Sequence, residues 1–366
     1  MDEKPIKTTC LHDLHCQQGA LMSPFAGFDM PIQYKGIVEE HNAVRNDVGV
    51  FDVSHMGEVL ISGSQAQKFV NHIFTNDVTP LADGAILYGM MLYPTGGVVD
   101  DLLVYRRKAD EYFLVINAGN IAKDLAWIMD NAKSYDVRIN DLSDHYGELA
   151  VQGPNAEKTL LTVLGLDMSG LGFYTFADLE VEGEHIIVSR TGYTGEDGFE
   201  IYAGHELIRK YWRQLMDAGV QPCGLGCRDT LRFEAGLPLY GDELTAEITP
   251  VEAALSMFCK LDKEEFIGKD VIARQKAEGV AHKSVGLEIN GPAIARHGYD
   301  VLDNQGNVIG SVTTGYRSIT LDRNLAMAMV DTAFAKLGTG VNVRVRKKTF
   351  PAVVVKKRFY TPNYKK

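Results

Sequence analysis

The chain has 366 residues, 45% of them hydrophobic and 23% charged, with a formal net charge of −11. That length supports two or three domains with a sizeable core, and so large an acid excess argues against a general nucleic-acid binder. No apolar run approaches the roughly 20 residues that span a bilayer, so no membrane partner is expected. The opening MDEKPIKTTC lacks the apolar core of a secretory signal. The expected location is therefore the cytoplasm. Cys10, Cys16, Cys223, Cys227 and Cys259 are expected as reduced thiols.

In chain order, residues 5–50 read as mostly helical, with apolar residues near helical spacing over 37–50. A strand is expected at 58–61 and an amphipathic helix at 66–74. Residues 88–117 then form three apolar runs separated by Pro94-Thr95-Gly96-Gly97 and Lys108-Ala109-Asp110-Glu111, the pattern of three strands joined by tight turns. A helix is expected at 121–132 and a strand at 135–139. From Glu148 the order begins again: a strand at 149–154, a helix at 156–164, a hairpin from 179–181 and 185–190, a strand at 199–202 and a helix at 206–218. That repetition suggests duplicated α+β units. Strand pairs and helices alternate without a βαβ rhythm, so the expected class is α+β with antiparallel sheets. Residues 228–235 read as a helix. Short strands at 284–289, 299–302, 308–314, 325–330, 341–346 and 352–359 predict a small C-terminal barrel.

The middle strand of the 88–117 unit carries Asp100 and Asp101. Side chains alternate along a strand. Asp100 should share a face with Val98, Leu102 and Val104, and Asp101 with Val99, Leu103 and Tyr105. Both faces are mainly apolar, so at least one carboxylate should be partly buried and need a partner. The glycine-rich 192–198 lacks the Lys-Ser/Thr of a phosphate loop and leads into a strand. Cys223 and Cys227 have no second pair to complete a metal site, so no metal is expected. No nucleophile elbow occurs. What remains is a set of polar groups in apolar surroundings: Asp101, Asn117, Tyr193, Glu200 and Arg228. Each also has a structural reading, Asn117 as a helix cap and Arg228 as a partner of Asp229 or Glu234. Spacing alone leaves their convergence open. After Asp331 there is no acidic residue, while Arg344, Arg346, Lys347, Lys348, Lys356, Lys357, Arg358, Lys365 and Lys366 crowd the end of the chain. They form either a solvated strand edge or a patch for an acidic partner or anionic tail.

Several stretches together resemble the aminomethyltransferase family, the T-proteins of the glycine cleavage system. They are FAGFDMPIQY (25–34), FDVSHMGE (51–58), TNDV (75–78), GGVVDDLLVY (96–105), VINAGN (115–120), AVQGPNA (150–156), SRTGYTGEDGFE (189–200), CGLGCRDTLRFEAGLPLYG (223–241) and TPVEA (249–253). The resemblance implies a three-domain cloverleaf around a central folate cavity. Two intertwined α+β domains (roughly 1–55 with 144–245, and 56–143 with 246–283) would fill residues 1–283, and a β-barrel 284–366. It implies tetrahydrofolate as co-substrate and, as partner, an H-protein whose lipoyl group carries the aminomethyl unit. The family's essential aspartate falls on Asp101, with Arg228 beside it to keep it ionised. The folate-contacting positions fall on Tyr88, Asn117, Tyr193, Glu200 and Arg228, and Met56 and Tyr240 match positions at or near the cavity. Cys227, Phe258 and Ile319 stand where members usually have Ala, Trp and Pro. The alternatives are a folate-dependent demethylase on the same fold and a folate-binding protein without catalysis. The intact DDL and RDTLR segments, and the absence of a KGCYxGQ signature, weigh against both.

Overall fold

The computed structural model describes residues 5–364. Between Gly57 and Pro222 the chain forms one pattern twice: strand, helix, three strands, helix, strand. The first copy comprises Gly57–Ser62, Ala66–Ile73, Ile86–Leu92, Val98–Lys108, Glu111–Ile116, Ile121–Asn131 and Arg138–Asp141. Its three central strands lie in sequence order, followed by the first strand and then the last. The second copy runs through Tyr146–Gln152, Ala156–Thr159, Phe176–Val181, Glu184–Ser189, Gly198–Gly204, His205–Asp217 and Gln221–Pro222. It repeats that order with one change: Gly49–Asp52 is inserted between the first and last strands. The inserted strand pairs antiparallel with Tyr146–Gln152 and parallel with Gln221–Pro222. The class is α+β as expected, and among the described pairs of named strands this short contact is the one departure from antiparallel pairing.

Each copy has its own core. Helix His205–Asp217 buries Leu207, Ile208, Tyr211, Trp212 and Leu215, a helical-period stripe. The stripe packs on Leu149, Val188, Phe199 and Ile201 of its sheet. Burying each such side chain contributes about 1.5–3 kcal/mol. Ile86, Tyr105, Phe113 and Val115 of the first sheet meet Tyr146, Phe176, Ile187 and Tyr202 of the second in a shared aromatic cluster. That cluster presses the two sheets together.

Residues 282–355 form the expected closed barrel from His282–Ile289, Asp300–Leu302, Val308–Arg317, Asn324–Asp331, Gly340–Val345 and Lys348–Val355. The last strand stops at Val355, short of the expected 359. The chain then leaves the barrel, and the Phe359 and Tyr360 N–H groups donate to the Glu234 carbonyl at 3.0 and 2.7 Å. Helix Leu225–Ala235 fastens the barrel to the rest. The Glu234 carboxylate accepts from Ser318 Oγ at 2.6 Å, Thr320 Oγ1 at 2.6 Å and Arg45 Nη2 at 3.1 Å. Glu243 accepts from Thr313 Oγ1, Thr314 Oγ1 and Arg232 Nη1 at 2.6, 2.7 and 2.9 Å. The segment holding Ile319 is thus tied down on both sides without the proline.

Four expectations fail locally. Residues 5–50 are not mostly helical: helices His12–Gln17 and Ile37–Asn46 flank a hairpin of Leu21–Phe25 and Phe28–Gln33. Its two-residue turn, Ala26-Gly27, has φ of 51 and 86°, the left-handed pair that matches strand twist. Pro24 and Pro31 disguise these strands, because proline argues against a ladder. The second helix also stops at Asn46, and Gly49 opens a strand instead. A Cβ at Gly49 would lie 2.6 Å from Cys223 Sγ, so a close approach fixes that residue. Finally, the strand expected at 135–139 is Arg138–Asp141, and the helix expected over 156–164 changes from an α turn to a π turn at Leu160.

Candidate functional site

The strand Val98–Lys108 sets the site's main wall. Its register against Ile86–Leu92 slips between Val98 and Asp100. That bulge puts Val99, rather than Val98, in the core with Leu102 and Val104, so simple alternation misassigns both valines. Asp100 is fully buried, whereas Asp101 is half-buried and faces a cavity of about 700 Å³. The turn before the strand is held by close contact. A Cβ on Gly97 would sit 1.7 Å from the Ala246 carbonyl oxygen, and the Val98 N–H donates to Thr245 O at 2.9 Å.

All eight residues singled out from sequence line this cavity: Met56, Tyr88, Asp101, Asn117, Tyr193, Glu200, Arg228 and Tyr240. They fall into two groups. In the first, Tyr88 Oη donates to Asp101 Oδ2 at 2.9 Å and Asn117 Nδ2 donates to Asp101 Oδ1 at 3.1 Å. Asn117 also bonds Asp100 through its backbone N–H at 3.0 Å and its side-chain amide at 2.9 Å. It makes no side-chain helix cap. Phe258 meets Tyr88 edge-on, with ring centroids 4.8 Å apart. Burial, and then the charge of Asp100, push the Asp101 acid up to about 7 against the hydrogen bonds from Tyr88 and Asn117.

The second group surrounds Arg228. Its guanidinium lies over the Tyr193 ring, 4.4 Å from the centroid, and the Tyr193 hydroxyl donates to the Pro238 carbonyl. Glu200 accepts from Thr191 Oγ1 at 2.5 Å. Burial raises the Glu200 acid, while Thr191 and Arg228 pull it down. Glu148 is fully buried beside it with Oε2 unpartnered. Burial, then the charges of Glu200 and Glu58, raise the Glu148 acid well above the carboxylate range. The expected pairing of Arg228 with Asp101 is therefore corrected. Asp101 is held by Tyr88 and Asn117, and the Arg228 charge acts on Glu200 and Glu148. Nor does Arg228 take Asp229 or Glu234. Those carboxylates pair with Arg232 and with Arg45 and His41.

Met56 and Tyr240 complete the lining, and Tyr240 Oη donates to the Val98 carbonyl at 3.2 Å. Gly192 and Gly198 of the glycine-rich loop pack around the Gln152 amide, where a Cβ would come within 2.0 and 2.5 Å; close approach accounts for these two glycines without a phosphate. Sequence reasoning missed Glu148, Thr191 and Tyr174. Glu148 gave no clear signal, since only the fold shows that its seven-residue strand is buried throughout. Tyr174 had none, because its left-handed φ of 61° belongs to a loop conformation rare for its type. Lys356, Lys357 and Arg358 also line the cavity. Burial lowers Lys357 to about 8, and its Nζ donates to the Ala253 carbonyl. Lys365 and Lys366 lie outside the described residues.

Comparison with known proteins agrees along the whole chain. Residues 11–263 match the family described as the GCVT N-terminal domain, and residues 282–361 the glycine cleavage T-protein C-terminal barrel domain. An aminomethyltransferase of Alkaliphilus oremlandii is 48% identical over 366 residues, covering 99% of each chain. One from Caldanaerobacter subterraneus subsp. tengcongensis is 48% identical, covering 99% of this chain and 98% of its own. The crystal structure of the glycine cleavage system aminomethyltransferase T from Bartonella henselae superposes with a TM-score of 0.94 at 33% identity, over 99% of this chain and 100% of that one. Sequence, fold and cavity thus agree that this chain belongs to the glycine cleavage T-protein family of aminomethyltransferases.

Proposed function

We propose that the protein takes the one-carbon unit from the aminomethyl-lipoyl arm of an H-protein and passes it to tetrahydrofolate. The products would be 5,10-methylenetetrahydrofolate, ammonia and dihydrolipoyl H-protein, formed in the cytoplasm. What carries this reading is the 48% identity to aminomethyltransferases over essentially full length. The eight expected positions around one cavity support it. The residues also fit folate. The cavity's roughly 700 Å³ lies within the usual range for ligand sites of about 300–1,000 Å³. Its unpartnered Glu148 oxygen and its tyrosine rings offer hydrogen bonding and flat surface to a pterin.

Tetrahydrofolate would supply the nitrogen nucleophiles that receive the one-carbon unit. Asp101, titrating near neutral pH and held by Tyr88 and Asn117, is suited to orient an N–H group and stabilise positive charge developing there. Glu200 and Glu148 give the pterin edge one acceptor and one neutral acid donor, and Arg228 offsets the Glu200 charge. Met56 and Tyr240 shape the walls. We place the acidic H-protein at the rim formed by Lys356 and Arg358, with Lys347 and Lys348 of the barrel as further candidates.

We also divide the chain into residues 1–55 with 144–245, residues 56–143 with 246–283, and a barrel over 284–366. The two sheets and the closed barrel support that division.

The deciding experiment incubates purified protein with aminomethyl-loaded H-protein and tetrahydrofolate, and measures ammonia and methylenetetrahydrofolate. Equal formation of the two is expected. Folate-dependent demethylation of a small amine without ammonia release from H-protein would favour the demethylase reading instead.

A further inference from the structure

Behind the cavity wall lies a second acidic group that the proposed function does not use. Asp124, in the first turn of helix Ile121–Asn131, is fully buried. Its Oδ1 accepts from Lys123 Nζ at 2.7 Å, and its Oδ2 finds no donor. The start of this helix is tied to the strand at Asp100: Asn120, one turn before Asp124, donates Nδ2 to Asp100 Oδ1, and Lys123 Nζ, bonded to Asp124, also reaches the Val99 carbonyl. This sets the Asp124 carboxyl against that of Asp100, also fully buried. Asp100 already accepts three N–H bonds: the Asn117 N–H at 3.0 Å, Asn117 Nδ2 at 2.9 Å and Asn120 Nδ2 at 2.7 Å. Asp100 is therefore the acceptor of the pair. Two carboxyl groups in contact and out of water do not both carry charge, and one keeps its proton.

We propose that Asp124 is a protonated positioning residue, whose carboxylic acid donates to Asp100 and completes the network that holds Asn117 and Asp101 on the cavity wall. The surrounding groups agree. Burial, then the charge of Asp100 and the bond to it, push the Asp124 acid up to about 10 against the pull of Lys123. Besides Lys123, the titratable groups that face this pair are Asp101, which Asp100 raises and which shares the Asn117 amide with it, and the Tyr240 phenol, which Asp100 and Asp124 both affect. The Lys123 ammonium lies 4.8 Å from the centre of the Tyr240 ring and donates to the Val99 carbonyl. The charges left behind the wall are then Lys123, whose side chain is a third exposed, and the fully buried Asp100. The Asp124 proton spreads the charge of Asp100 away from Asp101, whose acid that charge raises.

The test rests on the proposed aminomethyl transfer only for its kinetic part. Asp124→Asn keeps a donor towards Asp100 and an acceptor for Lys123, whereas Asp124→Leu removes both. Infrared difference spectra at pH 8 between the parent and Asp124→Asn should show one protonated-carboxyl band lost. No lost band means Asp124 is ionised, which overturns the proposal whatever the enzyme's substrate. In the transfer assay, the acid limb of kcat should move up by about one pH unit in Asp124→Leu, because Asp100 loses a donor. It should stay at the parent's position in Asp124→Asn. A folded Asp124→Leu protein with an unmoved limb, despite the lost band in Asp124→Asn, would also overturn the positioning role. If Asp124→Leu does not fold, the infrared band still decides the protonation state, and an acid limb that moves in Asp124→Asn counts against the proposal.

Discussion

Replacing Asp101 with asparagine should stabilise the protein at alkaline pH while disabling it. The Asp101 acid is raised to about 7 by burial and by Asp100, whereas an aspartate in the unfolded chain titrates near 3.9. The folded state therefore binds the proton more tightly than the unfolded one. The group's contribution to stability is fully present below about pH 4 and is lost as pH rises towards 7. At ~1.4 kcal/mol for each pH unit by which the acid is raised, ionising Asp101 costs up to ~4 kcal/mol at pH 8, and roughly 1–2 kcal/mol of that is already felt at pH 5. Water in the cavity reduces both figures. Asparagine carries no charge to bury, but it presents an NH₂ to one of the two donors, Tyr88 Oη or Asn117 Nδ2. Losing that hydrogen bond costs about 1 kcal/mol. The variant should match the parent within about 1 kcal/mol at pH 5 and exceed it by about 1–3 kcal/mol at pH 8. Urea unfolding at the two pH values, with m checked for constancy, measures this. An Asp101→Asn protein whose stability follows pH in parallel with the parent would show that Asp101 is not raised, and the electrostatic account of the wall would fail.

Arg228→Ala should lose roughly tenfold or more in tetrahydrofolate affinity, because Glu200 and Glu148 then face the ligand without a nearby cation. Arg228→Lys should recover only part, since an ammonium lacks the flat face that covers Tyr193; isothermal titration reads both, and wild-type affinity in the alanine variant removes Arg228 from the site. Gly97→Ala puts a methyl 1.7 Å from the Ala246 carbonyl oxygen, a clash with backbone that should destabilise by about 3 kcal/mol or more. A thermal melt unchanged from the parent would contradict the packing of that turn. Replacing Lys356 and Arg358 with glutamine should raise KM for H-protein several-fold and flatten its rise with salt, because exposed charges are screened beyond about 8 Å at physiological ionic strength. A KM indifferent both to salt and to the change would place the dock elsewhere.

The repeated architecture was legible because its signals are local. Turn residues at 94–97 and 108–111 mark the strand breaks, and the helical stripe of residues 207–215 stands alone in its window. The N-terminal hairpin was hidden by two prolines, and the bulge at Val99 by the assumption of unbroken alternation. The membership of the site came from whole motifs, and every residue they pointed to lines the cavity. Their pairings did not follow, because contacts such as Asn117 with Asp100, or Arg228 with Tyr193, depend on how distant segments meet. The duplication was visible as an order of elements, but only pairing shows that Gly49–Asp52 inserts itself into the second copy. Glu148 was overlooked for a related reason. Its strand looks ordinary until the neighbouring carboxylates of Glu200 and Glu58 are known to share its surroundings.

The central claim is that this cavity performs aminomethyl transfer with Asp101 as its ionisable group. The most direct test is the single-turnover rate of methylenetetrahydrofolate formation from aminomethyl-loaded H-protein, followed from pH 5.5 to 9 in the parent and in Asp101→Asn. The parent should gain activity through an apparent pKa near 7. The variant should bind tetrahydrofolate, yet react about 10²-fold or more slowly, with that rise absent. A variant that keeps the parent's rate and the same acid limb would contradict the account.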